Sequence, residues 1–216
     1  MYYTCVSQQP LTSLRELAVT GHGKVMAKAD YVQLHIEVST QGYEISKAQQ
    51  ENATITSRVI QSLIELDIPR EAIQTAAYTI SPNYDYVEGR QIFRGYEVTN
   101  ALTVNVSDIS RAGTVIDTAV QNGSNRIASI QFKIENTDIY YQQALSLALQ
   151  NAQMKARTIA ETMQLPLHTL PIEIVEESTN EPILYKSMAM ADDTVSTPIE
   201  QGQIAISATV RVKFQY

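Results

Sequence analysis

The last dozen residues constrain the fold more than any other part of the chain. Ile204, Ile206, Ala208, Val210, Val212 and Phe214 alternate with Gln203, Ala205, Ser207, Thr209, Arg211 and Lys213. Side chains on an extended backbone point to opposite faces in turn, so this pattern is a strand with one apolar and one polar face. Burying the larger apolar side chains contributes on the order of 10 kcal/mol gross, before chain entropy is subtracted. A strand that hides one face and wets the other belongs in an antiparallel sheet covered on one side.

The same design recurs upstream. Val32, Leu34, Ile36 and Val38 alternate with polar residues, as do Tyr96, Val98, Leu102, Val104 and Val106. Leu14–Thr20, Ile73–Ile80, Ile127–Ile134 and Pro171–Glu176 carry weaker versions. Helical spacing appears in three places. Ile45, Ala48, Asn52, Ile55, Val59, Leu63 and Leu66 form one apolar stripe that must end before Pro69. Val115, Ile116, Ala119 and Val120 form a second, capped by Asp108 or Ser110 and closed by Asn122-Gly123. The third starts at Thr137 or Asp138 and carries Tyr141, Leu145, Ala148, Ala152, Ala156, Ile159 and Met163, its alanines suited to a close helix neighbour. Each helix is followed by a short turn and a strand, a faint internal repeat. The expected architecture is α+β: a largely antiparallel or mixed sheet of about seven strands with about three helices on one face. Residues 1–13 read as a flexible tail and 14–216 as a single domain.

Two segments stand apart. Ser81–Gly95 holds Pro82, Tyr84, Tyr86, Gly89 and Phe93 between two strands and reads as a long hairpin arm. Thr179–Gly202 is a long connection with Pro182, Pro198 and the Met188-Ala189-Met190 run.

A net charge of −7, from 16 basic and 23 acidic residues, repels phosphate backbones and argues against a nucleic-acid partner. No apolar run is long enough to cross a bilayer as a helix, and the first residues lack the apolar core of an export signal, so a cytoplasmic location is expected if Met1 is the natural start, and a periplasmic or exported one if the chain has been trimmed. Cys5 alone makes no disulfide framework. His22, His35 and His168 have no second ligand at metal spacing, Met188 and Met190 form only a weak soft-metal pair, and Asp192-Asp193 reads as solvated. No nucleophile elbow or phosphate loop is present, and Gly21-His22-Gly23 reads as a turn between strands. No catalytic, metal or cofactor residue is therefore assigned.

Asn52 and Asn100 fall on apolar faces, where a buried amide must find hydrogen-bond partners. They read as structural residues bonded to backbone, with a ligand pocket between helix and sheet as the alternative.

Taken together, Val19–Gly23, Ala48–Ala53, Ile73–Thr75 leading to Pro82–Tyr86, Gly95–Asn100, Val115–Gly123 and the helix ending near Lys155-Ala156-Arg157 resemble the SIMPL-domain family. His22 stands where that family usually has an acidic residue. The resemblance implies an α+β fold, large ring- or channel-like homo-oligomers, and association with oxidative-stress protection or immunogenicity; it brings no catalytic residues. The expectation is a self-assembling, non-catalytic protein, with Tyr84, Tyr86, Phe93 and Tyr96 as oligomer contacts. The alternative is a small-molecule or metal binder using a pocket under the helices or the 179–202 loop.

Overall fold

A computed structural model of the chain describes residues 15–177, 183–185 and 197–216. The tail through residue 13, Cys5, Met188, Met190 and Asp192-Asp193 lie outside these residues. The α+β expectation holds, with eight strands and three α-helices. In chain order they are β1 (Glu16–Lys28), β2 (Tyr31–Gly42), α1 (Ile45–Glu65), β3 (Ile73–Val87), β4 (Arg90–Val106), α2 (Ala112–Gln121), β5 (Arg126–Lys133), α3 (Thr137–Met163), β6 (Pro171–Glu177), β7 (Ile183–Tyr185) and β8 (Gln203–Gln215). The strands divide between two four-stranded sheets rather than sharing one. The chain accordingly separates into two compact units, residues 27–135 with 184–204, and residues 1–26 with 136–183 and 205–216.

In the first of these units the sheet order is β3-β4-β2-β5, antiparallel throughout. Val32, Leu34, Ile36 and Val38 face Val106, Val104, Leu102 and Asn100 across the β2–β4 ladder. With Val59 and Leu63 of α1 and Val115 and Ala119 of α2, the seven apolar residues of these pairs form a fully buried core. The outer face is polar: Gln33 donates to Asn105 Oδ1 at 3.0 Å, and the Ser39 hydroxyl donates to Glu97 Oε1 at 2.7 Å. Asp108 accepts from the Ser110 amide and so caps the short turn that leads into α2. Gly123, at φ +112°, ends that helix, while Asn122 keeps a negative φ. The chain before β8 is tied to the same unit by three contacts. Asp117 accepts from the amide (3.1 Å) and hydroxyl (2.5 Å) of Thr197, Ile199 packs on the core, and Gln201 donates to the Ala29 carbonyl.

The second unit is built on the sheet order β1-β8-β6, with the short β7 also paired to β8. Val210, Val212 and Phe214 of β8 pack under α3. The buried stripe of α3 is Ala144, Ala148, Ala152, Ala156 and Ala160. The stripe read from sequence differs, because Ile159 and Met163 are exposed. Ala144, Ala148 and Ala152 meet β1, and this corrects the reading of Gly21-His22-Gly23 as a turn. All three residues lie inside β1, and neither glycine has a positive φ. A Cβ on Gly23 would sit 2.6 Å from the Ala148 amide nitrogen, and one on Gly21 would sit 2.8 Å from Ala152 Cβ. The glycines are there because α3 runs against the strand backbone, a requirement of packing rather than of dihedral freedom.

Candidate functional site

The hairpin formed by β3 and β4 is the most distinctive surface. Its two strands stay paired from Ile73↔Val104 to Val87↔Arg90. Glu88 (φ +50°) and Gly89 (φ +78°) make the turn, both in the left-handed region that two-residue hairpins favour. Segment 81–95 is thus continuous ribbon, not loop. A register shift at Asn83/Tyr84 leaves Arg94 without an opposite residue, and its guanidinium closes on Asp85 at 2.6 Å.

The inner face of this ribbon runs out from beneath the helices. Val98, opposite Ile80, is fully buried, whereas Tyr78 and Ile80 on the outer strand are exposed. Farther out, Phe93 sits opposite Tyr84 and makes edge-to-face contacts with Tyr84, Tyr96 and Tyr43 at centroid distances of 5.5, 5.2 and 6.2 Å. Tyr86 is 75% exposed, near the tip. Of the four aromatic residues named from sequence, three share one cluster and Tyr86 lies beyond it. Sequence reasoning missed Tyr43. Its placement depends on the close approach of Gly95 to the Gly42 carbonyl, which brings the β2–α1 corner over Phe93. A glycine at both crossing positions was the available signal.

Asn52 is fully buried on α1. Its Nδ2 donates to the carbonyls of Val38 (2.8 Å) and Val98 (2.9 Å), on adjacent strands, and its Oδ1 accepts from Thr56. Asn100 is half-buried on the inner face opposite Tyr78; its Oδ1 is shielded from solvent and has no hydrogen-bond partner. Glu37 Oε2 also lacks a hydrogen bond, although Arg126 Nε lies within ion-pair distance at 3.3 Å. The guanidinium approaches off the hydrogen-bond axis, so the contact is electrostatic only. The space beneath α1 and α2 is filled by the core side chains named above.

Groups with perturbed titration are scattered, each explained by one neighbour. Hydrogen bonds from the Thr197 hydroxyl and amide hold the Asp117 carboxyl below its ordinary value. The Glu176 carboxylate, accepting from Tyr141 at 2.5 Å, raises that phenol. Glu173 raises Lys213. None shares a cleft with another, so they do not make an acid–base pair. Among the described residues no three His, Cys, Asp or Glu side chains converge to hold a metal ion, and no helix is long and apolar enough to cross a membrane. A second apolar surface lies on β6, where Ile172, Ile174 and Val175 are exposed beside Leu170 at 80%.

Comparison with known proteins follows the same lines. The chain is 27% identical over 218 residues to the 26 kDa periplasmic immunogenic protein of Brucella melitensis, covering 96% of this chain and 87% of that one. It is 25% identical over 202 residues to the uncharacterized protein YggE of Escherichia coli K12, covering 92% and 82%. YggE of Edwardsiella ictaluri matches at 20% over 146 residues, 67% of this chain and 61% of that one. Residues 17–214 match the family described as SIMPL, protein of unknown function (DUF541), and the chain belongs to that family.

Proposed function

We propose that this protein is a non-catalytic, self-assembling SIMPL protein whose copies meet through the β3–β4 ribbon. One observation carries the reading. Tyr78, Ile80, Tyr84 and Tyr86 on β3, with Phe93 on β4, are exposed together along one face of the ribbon. Single exposed apolar residues are ordinary, but a contiguous set marks an interaction surface. Among the described residues β3 pairs only with β4, so the ribbon lies at a sheet edge. Its free backbone groups offer a template for another strand, interrupted within the arm by Pro82. Tyrosine supplies large contact area at small entropic cost, which suits a surface that is wet before assembly.

The compartment in this proposal is extracytoplasmic. The cytoplasmic expectation rested on the first residues alone, and the printed names of the Brucella relatives include the word periplasmic. Fractionating the native host decides it, with recovery in the cytoplasmic fraction as the refuting result. The family resemblance adds stress protection as the role of such an assembly, tested by survival of a deletion strain under peroxide.

Solution mass tests the assembly itself. Light scattering should give a defined multiple of 24.0 kDa, and removal of Val87–Gln91 should reduce it. A monomer at high concentration, or an unchanged mass after the deletion, refutes the proposal.

A further inference from the structure

Both exposed backbone groups used at the edge of β1 are met by α3. The His22 amide donates to Asn151 Oδ1 at 3.1 Å, and Lys155 Nζ donates to the Thr20 carbonyl at 2.8 Å. Beside these bonds lies an open cavity of about 450 Å³ lined by Val19, Thr20, His22, Met154, Lys155 and Ile159, with Thr158 at its rim. Its composition is unusual for a protein of net charge −7. The wall has no carboxylate; its one charged side chain is the Lys155 ammonium, and most of the remainder is aliphatic, thioether or hydroxyl.

Lys155 can cap the strand edge without forming a site, since covering a free edge is itself useful. Two observations go further. The ammonium has three donors and gives one to Thr20, a neutral acceptor; its charge has no ion-pair partner among the described residues. Met154, 60% exposed, and Ile159 present apolar surface to the same cavity, where a free cation alone would favour water. A cation at one end of an apolar wall is complementary to an anion that carries a hydrocarbon tail.

We infer that this cavity between β1 and α3 binds small amphipathic carboxylates, their charge on Lys155 and their alkyl chain against Val19, Met154 and Ile159. A carboxylate gains a charge-assisted hydrogen bond that an alcohol of equal length does not. The inference is independent of assembly, because none of these residues lies on the β3–β4 ribbon.

The test is calorimetric titration of the full chain with hexanoate and with 1-hexanol, alongside NMR shifts of the Met154 methyl. Hexanoate should saturate, and hexanol should bind about tenfold more weakly or not at all. Lys155→Gln should weaken hexanoate by about tenfold or more, whereas Lys155→Arg should retain it. Met154→Glu, which adds a negative charge to the wall, should abolish binding with the circular dichroism spectrum unchanged. Absence of saturable hexanoate binding, equal affinity for hexanol, or undiminished binding by Lys155→Gln overturns the inference.

Discussion

Replacing Asn52 with alanine tests how the larger sheet is held to its helices. The side chain is fully buried, and one amide nitrogen serves the carbonyls of Val38 on β2 and Val98 on β4. Alanine removes both bonds and leaves a small void. A buried carbonyl that loses its partner costs about 1–3 kcal/mol, so two losses bring the change to about 2–6 kcal/mol. Thr56, whose hydroxyl points to Asn52 Oδ1 at 3.4 Å, loses its acceptor as well, though at that distance it adds little. For a chain of 216 residues each kcal/mol lowers Tm by about 2–4 °C, so a loss near 3 kcal/mol corresponds to about 6–12 °C. Thermal unfolding followed by circular dichroism measures it. Asn105→Ala is the control, because Asn105 makes one partly buried bond to Gln33 on the wet face and should move Tm by no more than about 3 °C. If Asn52→Ala melts within about 2 °C of the parent, the amide is not what ties α1 to the sheet, and the reasoning fails.

Gly23→Ala should destabilise by about 1–3 kcal/mol, because the new methyl meets the backbone of α3 at Ala144 and Ala148 rather than a side chain that can turn away; a midpoint in urea unchanged from the parent refutes it. Tyr86→Glu should lower the assembled mass without lowering Tm, since that ring is 75% exposed; loss of stability instead would place Tyr86 in the fold of its own unit. For Asp117 the folded value is depressed, so its contribution is present above the ordinary carboxylate value near pH 3.9 and lost as pH falls through the lower folded value. Asp117→Asn should therefore flatten that acid limb of the stability–pH curve, and an identical limb in the variant refutes the assignment. Lys213 works in the opposite sense, its raised value giving a contribution lost only at strongly alkaline pH.

The fold was legible wherever one face of an element is buried and the other wet. The alternation in β2 and β8, and the stripe from Ala48 to Leu63 on α1, carry their own periods. Division into two sheets was not legible, because period-two alternation states that a strand has a buried face and not which helix buries it. Gly21 and Gly23 were misread for a related reason. A glycine in a turn and a glycine under a helix leave the same letter in the sequence, and only the alanines at 144, 148 and 152, more than a hundred residues away, distinguish them. The aromatic cluster was half visible. Tyr84, Phe93 and Tyr96 are near in sequence and were grouped, whereas Tyr43 arrives through the register of β2 on β4, which pairs Gly42 with Tyr96.

These placements bear on how a sheet protein with open edges stays soluble until it finds a partner. The β1 edge is closed at His22 and Thr20 by Asn151 and Lys155, so strand addition there would have to break two hydrogen bonds to α3 before forming its own. Among the described residues the β3 edge carries no such cover along its arm. It is moderated instead by Pro82, by the register shift at Asn83/Tyr84, and by the Asp85–Arg94 pair near the tip. Each of these interrupts a flat, uniform ribbon without removing its apolar side chains. Such an edge disfavours unlimited edge-to-edge growth while leaving the tyrosine face available, so the assembly proposed above would be closed and of fixed size rather than a fibre.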